Sequence, residues 1–310
     1  MTLFSANTIP GFLSGCYTAI ITPFRDGDID QPALRALVER QIDGGVSGLL
    51  PCGTTGEAPA LTATEWDLVV ATVIETAAGR VPVVAGTGSN STAVTIERTR
   101  RARSLGADAA LVVTPYYNKP TQDGLYGHFE AIAETVDLPL VLYNVPGRTG
   151  VNLFPETVVR LAAIPGIVAI KEASGSIDQT SQIVREAPGT FTVLSGDDSL
   201  TLPIVAVGGR GIISVVSNIA PEAVSALAAA GLAGDFATAR DIHLALFDLC
   251  RAMFVETNPV PVKTAAALLG LCGPEVRLPL ALLSAAARRR VESALESWQQ
   301  ASIAVGRVAA

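Results

Sequence analysis

Lysine is scarce in this chain: Lys119, Lys171 and Lys263 are the only three among 22 basic residues. Lys171 is the one placed for chemistry. It closes the apolar run Ile167-Val168-Ala169-Ile170, which follows a glycine and reads as a buried parallel strand. An ammonium at the end of such a strand loses hydration, and full burial lowers a lysine pKa by up to ~3–5. A lysine partly neutral near pH 7 is a nucleophile, and its characteristic reaction is a Schiff base with a carbonyl substrate. The strand alone is equally compatible with an ion pair that trims its end.

The surrounding pattern supplies company for Lys171. Short apolar segments recur at Cys16–Thr22, Gly48–Cys52, Val81–Gly86, Ala109–Val113, Leu138–Tyr143, Ile167–Glu172, Thr192–Ser195 and Gly211–Val216. They lack polar alternation, as strands do when helices cover their outer face. Helical patterns lie between them, for example Pro32–Asp43, Ala63–Ala77 and Thr121–Thr135. Pro155 and Pro221 stand where a first helical turn begins. Eight strand–helix units predict a (β/α)8 TIM barrel over residues 1–232, with a doubly wound open sheet as the less regular alternative. Residues 233–310 show helical periodicity only and predict a small C-terminal helical domain of three helices.

Working residues in such barrels sit at the C-terminal strand ends. Here those ends read Gly53-Thr54-Thr55-Gly56-Glu57, Gly86-Thr87-Gly88, Tyr116-Tyr117-Asn118-Lys119, Tyr143-Asn144-Val145-Pro146-Gly147-Arg148-Thr149-Gly150, Lys171-Glu172-Ala173 and Ser195-Gly196-Asp197-Asp198. Gly86 and Gly88 are half of a dinucleotide fingerprint and read as a tight turn. Gly208-Gly209-Arg210-Gly211 precedes its strand and also reads as a turn. Asp197-Asp198 lacks a third ligand and reads as a helix N-cap.

A neutral Lys171 condenses with a keto acid to an iminium, an electron sink that lets the neighbouring carbon lose a proton. The resulting enamine attacks an aldehyde. Tyr143, one strand away, is the candidate proton shuttle, hydrogen-bonded to hydroxyls such as Thr55. The amides and hydroxyls of Thr54 and Thr55 suit a carboxylate. Arg148 offers a bidentate grip on a second one.

Composition narrows the field. A net charge of −7 and a pI of about 5.0 give no basic patch for nucleic acid. Arg288-Arg289-Arg290 reads as a solvated face near a helix C-terminus. No apolar run reaches ~18 residues, so no membrane span is expected, and Met1–Pro10 has no secretory pattern. Cys16, Cys52, Cys250 and Cys272 have no CxxC spacing, so neither metal nor disulfide framework is expected, with Cys16 and Cys52 as small core residues. His128 and His243 are expected at surface or capping positions, and no cofactor is called for. A cytoplasmic enzyme fits these totals.

The motifs together resemble a known family. Gly53–Glu57, Tyr116–Asn118, Tyr143–Gly150, Lys171–Ala173 and Asn258-Pro259-Val260-Pro261-Val262-Lys263 are similar to the class I pyruvate-dependent aldolases and lyases of the dihydrodipicolinate synthase / N-acetylneuraminate lyase superfamily, nearest its dihydrodipicolinate synthase branch. The resemblance spans nearly the whole chain. It implies condensation of pyruvate with L-aspartate 4-semialdehyde to 4-hydroxy-tetrahydrodipicolinate, a step toward lysine and diaminopimelate. It implies Lys171 as Schiff-base lysine, Tyr143 as proton-transfer residue, Thr55 as relay and Thr54 as carboxylate holder. Ile213 would give a backbone contact to pyruvate and Arg148 would hold the semialdehyde carboxylate. Tyr117 would reach into a partner subunit of a homotetramer built as a dimer of dimers. Arg148 argues against the sugar-acid lyases, although a paralogous aldolase or dehydratase acting on another 2-keto acid, such as a keto-deoxy sugar acid, stands as the alternative. A non-catalytic ligand-sensing relative is disfavoured by the intact Lys171, Tyr143, Thr55 and Tyr117. Many relatives bind inhibitory lysine through charged and polar side chains at a dimer interface. Ala63, Trp66 and Val94 fall at those places here, so weak or absent lysine inhibition is expected.

Overall fold

The computed structural model describes residues 13–308, with side chains to residue 301. Eight strands run parallel: β1 Gly15–Ala19, β2 Gly48–Leu50, β3 Val84–Gly86, β4 Ala109–Val113, β5 Leu140–Asn144, β6 Ile167–Glu172, β7 Thr192–Ser195 and β8 Gly211–Ser214. Each pairs with its neighbour in chain order, and β8 returns to β1 with Gly211 opposite Gly15. The ring closes between β2 and β3 through one parallel bridge, Leu49 opposite Val83. There the Leu49 N–H donates to the Pro82 carbonyl at 3.0 Å. The expected (β/α)8 barrel is therefore the fold.

Residue alternation divides the apolar side chains into two layers. Tyr17, Leu50, Val84, Leu111, Val141, Ala169, Leu194 and Ile213 fill the lumen. Cys16, Leu49, Ala85, Val112, Leu142, Ile170, Val193 and Ile212 face the helices. Both layers are buried, which is why the strands show no polar alternation. Two strands begin later than expected, because Pro82 and Pro139 have no N–H to give a ladder.

Helices start where a side chain satisfies the free amides of a first turn. Asp30 caps α1 (Gln31–Asp43), and Ser91 caps α3 (Thr92–Leu105). Thr62 and Glu65 form a reciprocal capping box on α2 (Ala63–Ala77). Thr121 and Ser176 cap α4 (Gln122–Thr135) and α7 (Ile177–Glu186), respectively. Between these last two lie the short α5 (Pro146–Thr149) and α6 (Pro155–Ala162). After α8 (Thr201–Ala206) and α9 (Pro221–Leu232) come α10 (Phe236–Ala252), α11 (Val260–Leu268) and α12 (Ala285–Val308). Leu246, Leu249, Val262, Ala265, Val291 and Leu295 of these last helices join the outer core layer of the barrel. No helix among the described residues is long and apolar enough to cross a membrane.

Three expectations are corrected. Arg288–Arg290 is exposed but lies in the first turns of α12, at the end of the helix dipole that disfavours cations, and Arg288 is offset by Glu292 one turn on. His128 is buried rather than at the surface. It shares the inner face of α4 with Leu125, Phe129 and Ile132, and burial holds its pKa at about 4. Gly86 and Gly88 do not make a turn. A Cβ at Gly86 would stand 2.1 Å from the Cys52 carbonyl oxygen, and one at Gly88 would stand 2.4 Å from the Val113 nitrogen. Adjacent strand ends approach too closely there for any side chain.

Candidate active site

Lys171 and Tyr143 are register partners on β6 and β5. Both follow the lumen parity, so both point inward at the C-terminal end of the barrel. Lys171 Nζ lies 4.4 Å from the centre of the Tyr143 ring. Burial pushes the Lys171 pKa down to about 8. The Asp198 charge opposes this shift and the Arg148 charge adds to it. Burial raises the Tyr143 phenol, against the pull of Arg148 and a hydrogen bond with the Thr54 side chain.

The lysine stem is seated as well as desolvated. A Cβ at Gly196 would come within 3.0 Å of both Cγ and Cε of Lys171. Only glycine leaves room for the extended side chain. The Gly196 N–H donates to the Glu172 carbonyl at 2.7 Å, which fixes this loop against β6.

Asp198 corrects another expectation. Asp197 does cap the following turn, accepting from the Ser199 N–H at 2.9 Å. Asp198 instead turns inward and is buried. Its carboxylate accepts from Ser214 Oγ at 2.5 Å, from Val215 N–H at 3.0 Å and from Val216 N–H at 3.3 Å. These partners sit at the end of β8, just past Ile213. Burial raises the Asp198 pKa to about 6 in spite of these bonds.

The loop after β2 brings Thr54 and Thr55 to the same rim. Thr54 lines the cavity together with Tyr143. Thr55 is buried, and its Oγ1 accepts from Asn258 Nδ2 at 3.0 Å. Glu57, at the end of the loop, makes a fully buried ion pair with Lys263 at 2.6 Å. Its other oxygen accepts from the Arg277 N–H at 3.0 Å. Lys263 Nζ also lies 4.1 Å from the Phe24 ring centre, and burial lowers its pKa against the pull of Glu57. The Asn258–Lys263 segment thus clamps the loop from the C-terminal helices.

Arg148, on α5, donates from Nη2 to the Asn258 carbonyl at 3.3 Å. A cavity of about 360 Å³ is lined by Thr54, Tyr116, Tyr143 and Arg148 among others. Ile213 is buried in the lumen. Tyr117 stands apart: it is 88% exposed, with φ +70°. Its loop is fixed by Asn118 Nδ2 donating to the Asn90 carbonyl at 3.0 Å.

Comparison with known proteins agrees with this geometry. Residues 12–298 match the model of the dihydrodipicolinate synthetase family. The chain belongs to that family. It is 62% identical over 285 residues to the 4-hydroxy-tetrahydrodipicolinate synthase of Thermomicrobium roseum, covering 92% of this chain and 94% of that one. The structure of the Methylacidiphilum fumariolicum SolV 4-hydroxy-tetrahydrodipicolinate synthase superposes with a TM-score of 0.94 at 47% identity, over 95% of this chain and 99% of that one. The pyruvate complex of the Acinetobacter baumannii dihydrodipicolinate synthase does so with a TM-score of 0.91 at 46% identity, over 92% and 98%.

Family membership leaves three residues that sequence reading missed or left without a role. Asp198 hides beside Asp197 as a cap doublet, and its partners come from a different strand. Gly196 looks like any loop glycine. Asn258 stood in a recognised motif without a function of its own.

Proposed function

We propose that this chain is a Schiff-base-forming lyase that condenses pyruvate with L-aspartate 4-semialdehyde to 4-hydroxy-tetrahydrodipicolinate. The observation that carries the reading is the pairing of Lys171 with Tyr143 at one rim with Arg148, in a member of this family. The neutral Lys171 amine adds to the pyruvate ketone, and loss of water gives the imine. Withdrawal of a methyl proton gives the enamine, which forms the new carbon–carbon bond to the aldehyde carbon. The aldehyde oxygen takes a proton as that bond forms, and the amino group of the semialdehyde then adds to the imine carbon and expels the Lys171 amine, which closes the ring and frees the product. Tyr143 moves these protons.

In this reading Thr54, which lines the cavity together with Tyr143, is the relay residue, and Thr55 is the carboxylate donor. This exchanges the roles expected from sequence. Ile213 offers its backbone to pyruvate, and Arg148 grips the semialdehyde carboxylate bidentately. Tyr117 completes the relay from a partner subunit of a homotetramer, a role its exposure suits. The C-terminal segment carrying α10, α11 and α12 acts as a brace, through Asn258 and Lys263.

Borohydride reduction in the presence of pyruvate, followed by mass spectrometry, tests the reading. The expected product is a reduced pyruvate adduct on Lys171 alone, together with turnover of aspartate semialdehyde in a condensation assay. Absence of the adduct would overturn the proposal. An adduct without semialdehyde turnover would point to another aldehyde.

A further inference from the structure

We infer that Asn258, supplied by the C-terminal helices, is a positioning residue that fixes the Thr55 hydroxyl as a hydrogen-bond donor into the site. A hydroxyl has one proton to give and two lone pairs to receive. Asn258 Nδ2 donates to Thr55 Oγ1 at 3.0 Å, so the Thr55 proton is directed elsewhere. Both residues are buried, which removes water as a competing partner. A donor held in this way suits a carboxylate.

Two further contacts tie Asn258 to the reaction. Its backbone carbonyl accepts from Arg148 Nη2 at 3.3 Å, so one residue touches the groups proposed to hold both substrates. Its Oδ1 is buried with no hydrogen-bond partner among the described residues. Unpaired buried acceptors are rare and costly, and they are tolerated where a bound molecule completes them. The ion pair of Lys263 with Glu57, five residues along, holds the two segments in register. The side chain of Asn258 therefore serves pyruvate and its backbone serves Arg148, and substitution can separate the two.

The inference rests on the proposed function, and the test distinguishes their failures. Pyruvate affinity is read from the concentration dependence of borohydride trapping on Lys171, and semialdehyde KM from the condensation assay. Asn258→Ala is expected to weaken pyruvate about tenfold, the cost of a misdirected bond to a charged group. Semialdehyde KM should stay within about twofold, because the backbone carbonyl remains. Asn258→Asp keeps the shape and loses the donor, so it should weaken pyruvate at least as much. In a double-mutant cycle, Asn258→Ala should add nothing to Thr55→Val. Multiplicative effects, a wild-type-like Asn258→Asp, or a parallel loss of both affinities and melting temperature would overturn the inference alone. A wild type that forms no adduct would overturn it together with the reading beneath it.

Discussion

Lys171 is a group whose proposed reactivity and whose cost to folding have one cause. Its pKa stands at about 8 in the folded chain against 10.5 for a free side chain, chiefly through burial. Between those values the unfolded chain holds the proton and the folded one does not, so stability rises with pH through that window. Below it the folded state carries the whole cost. Lys171→Met is therefore expected to stabilise the protein at pH 7 by ~2–3 kcal/mol while abolishing adduct formation, as read by urea denaturation. An unchanged midpoint would mean that the ammonium is solvated in the folded state. Asp198 acts in the opposite sense, since its negative charge favours the ammonium. Removing that charge by the substitution Asp198→Asn lowers the Lys171 pKa. The acid limb of pyruvate trapping should then move down by about 0.5–1 in pH. A limb that stays in place would show that the charge does not reach the amine. Lys171, Tyr143 and Arg148 are legible in sequence because their residue types are unusual at strand ends. Asp198 is not, because its role depends on Ser214–Val216, brought to it by strand pairing.

At the scale of elements, the loop after β2 is held by a segment about two hundred residues away in the chain. The separations are |i−j| = 203 for Asn258 with Thr55 and 206 for Lys263 with Glu57. A buried ion pair is weak as a source of net stability but severe when broken, because one charge stays behind. Lys263→Met should therefore destabilise the chain by ~3–5 kcal/mol, and adding Glu57→Gln should recover most of that loss. Thermal melts of the three proteins decide the matter, and a double variant no better than the single one would show that the pair itself is indispensable. Such couplings have no local signature, whereas strands and caps do: β4, β6, β7 and α2 lie where periodicity predicts them. His128 shows the limit of reading one residue at a time. Its spacing from Leu125, Phe129 and Ile132 already marks the buried face of α4. The groove between α2 and α3 carries a related prediction. Trp66 is buried and pinned by its Nε1–H to the Gly86 carbonyl at 3.1 Å, so it cannot swing away from that groove. Ala63 and Val94 supply no charge beside it, and the charged residues of the groove are Asp67, Glu97, Arg98, Arg100 and Arg101. A steady-state assay should accordingly show no inhibition by submillimolar lysine; clear inhibition would mean that the ligand is held by other groups.

At the scale of the whole molecule, one proposed participant is out of place in a single chain. Lys171, Tyr143, Thr54, Thr55 and Arg148 gather at one rim, while Tyr117 is 88% exposed on a loop held in a left-handed backbone conformation. A tyrosine in that position does chemistry only if another copy brings its site to it. A symmetric pair satisfies this requirement, because an isologous contact sends each Tyr117 to the other subunit. Mixing two inactive variants tests the idea directly. Lys171→Ala removes the nucleophile from its own site but still lends a normal Tyr117 to its neighbour. Tyr117→Phe keeps Lys171 but lends a crippled side chain. If Tyr117 acts across an interface, each mixed pair has one site with both groups intact. Random recombination of equal amounts then restores about a quarter of wild-type activity, since half the pairs are mixed and each has one working site of two. If Tyr117 acts within its own chain, or not at all, the mixture stays at the average of the two variants. Dissociating and reassembling the mixed proteins before the assay, with the unmixed variants treated alongside, separates the two outcomes by rate alone.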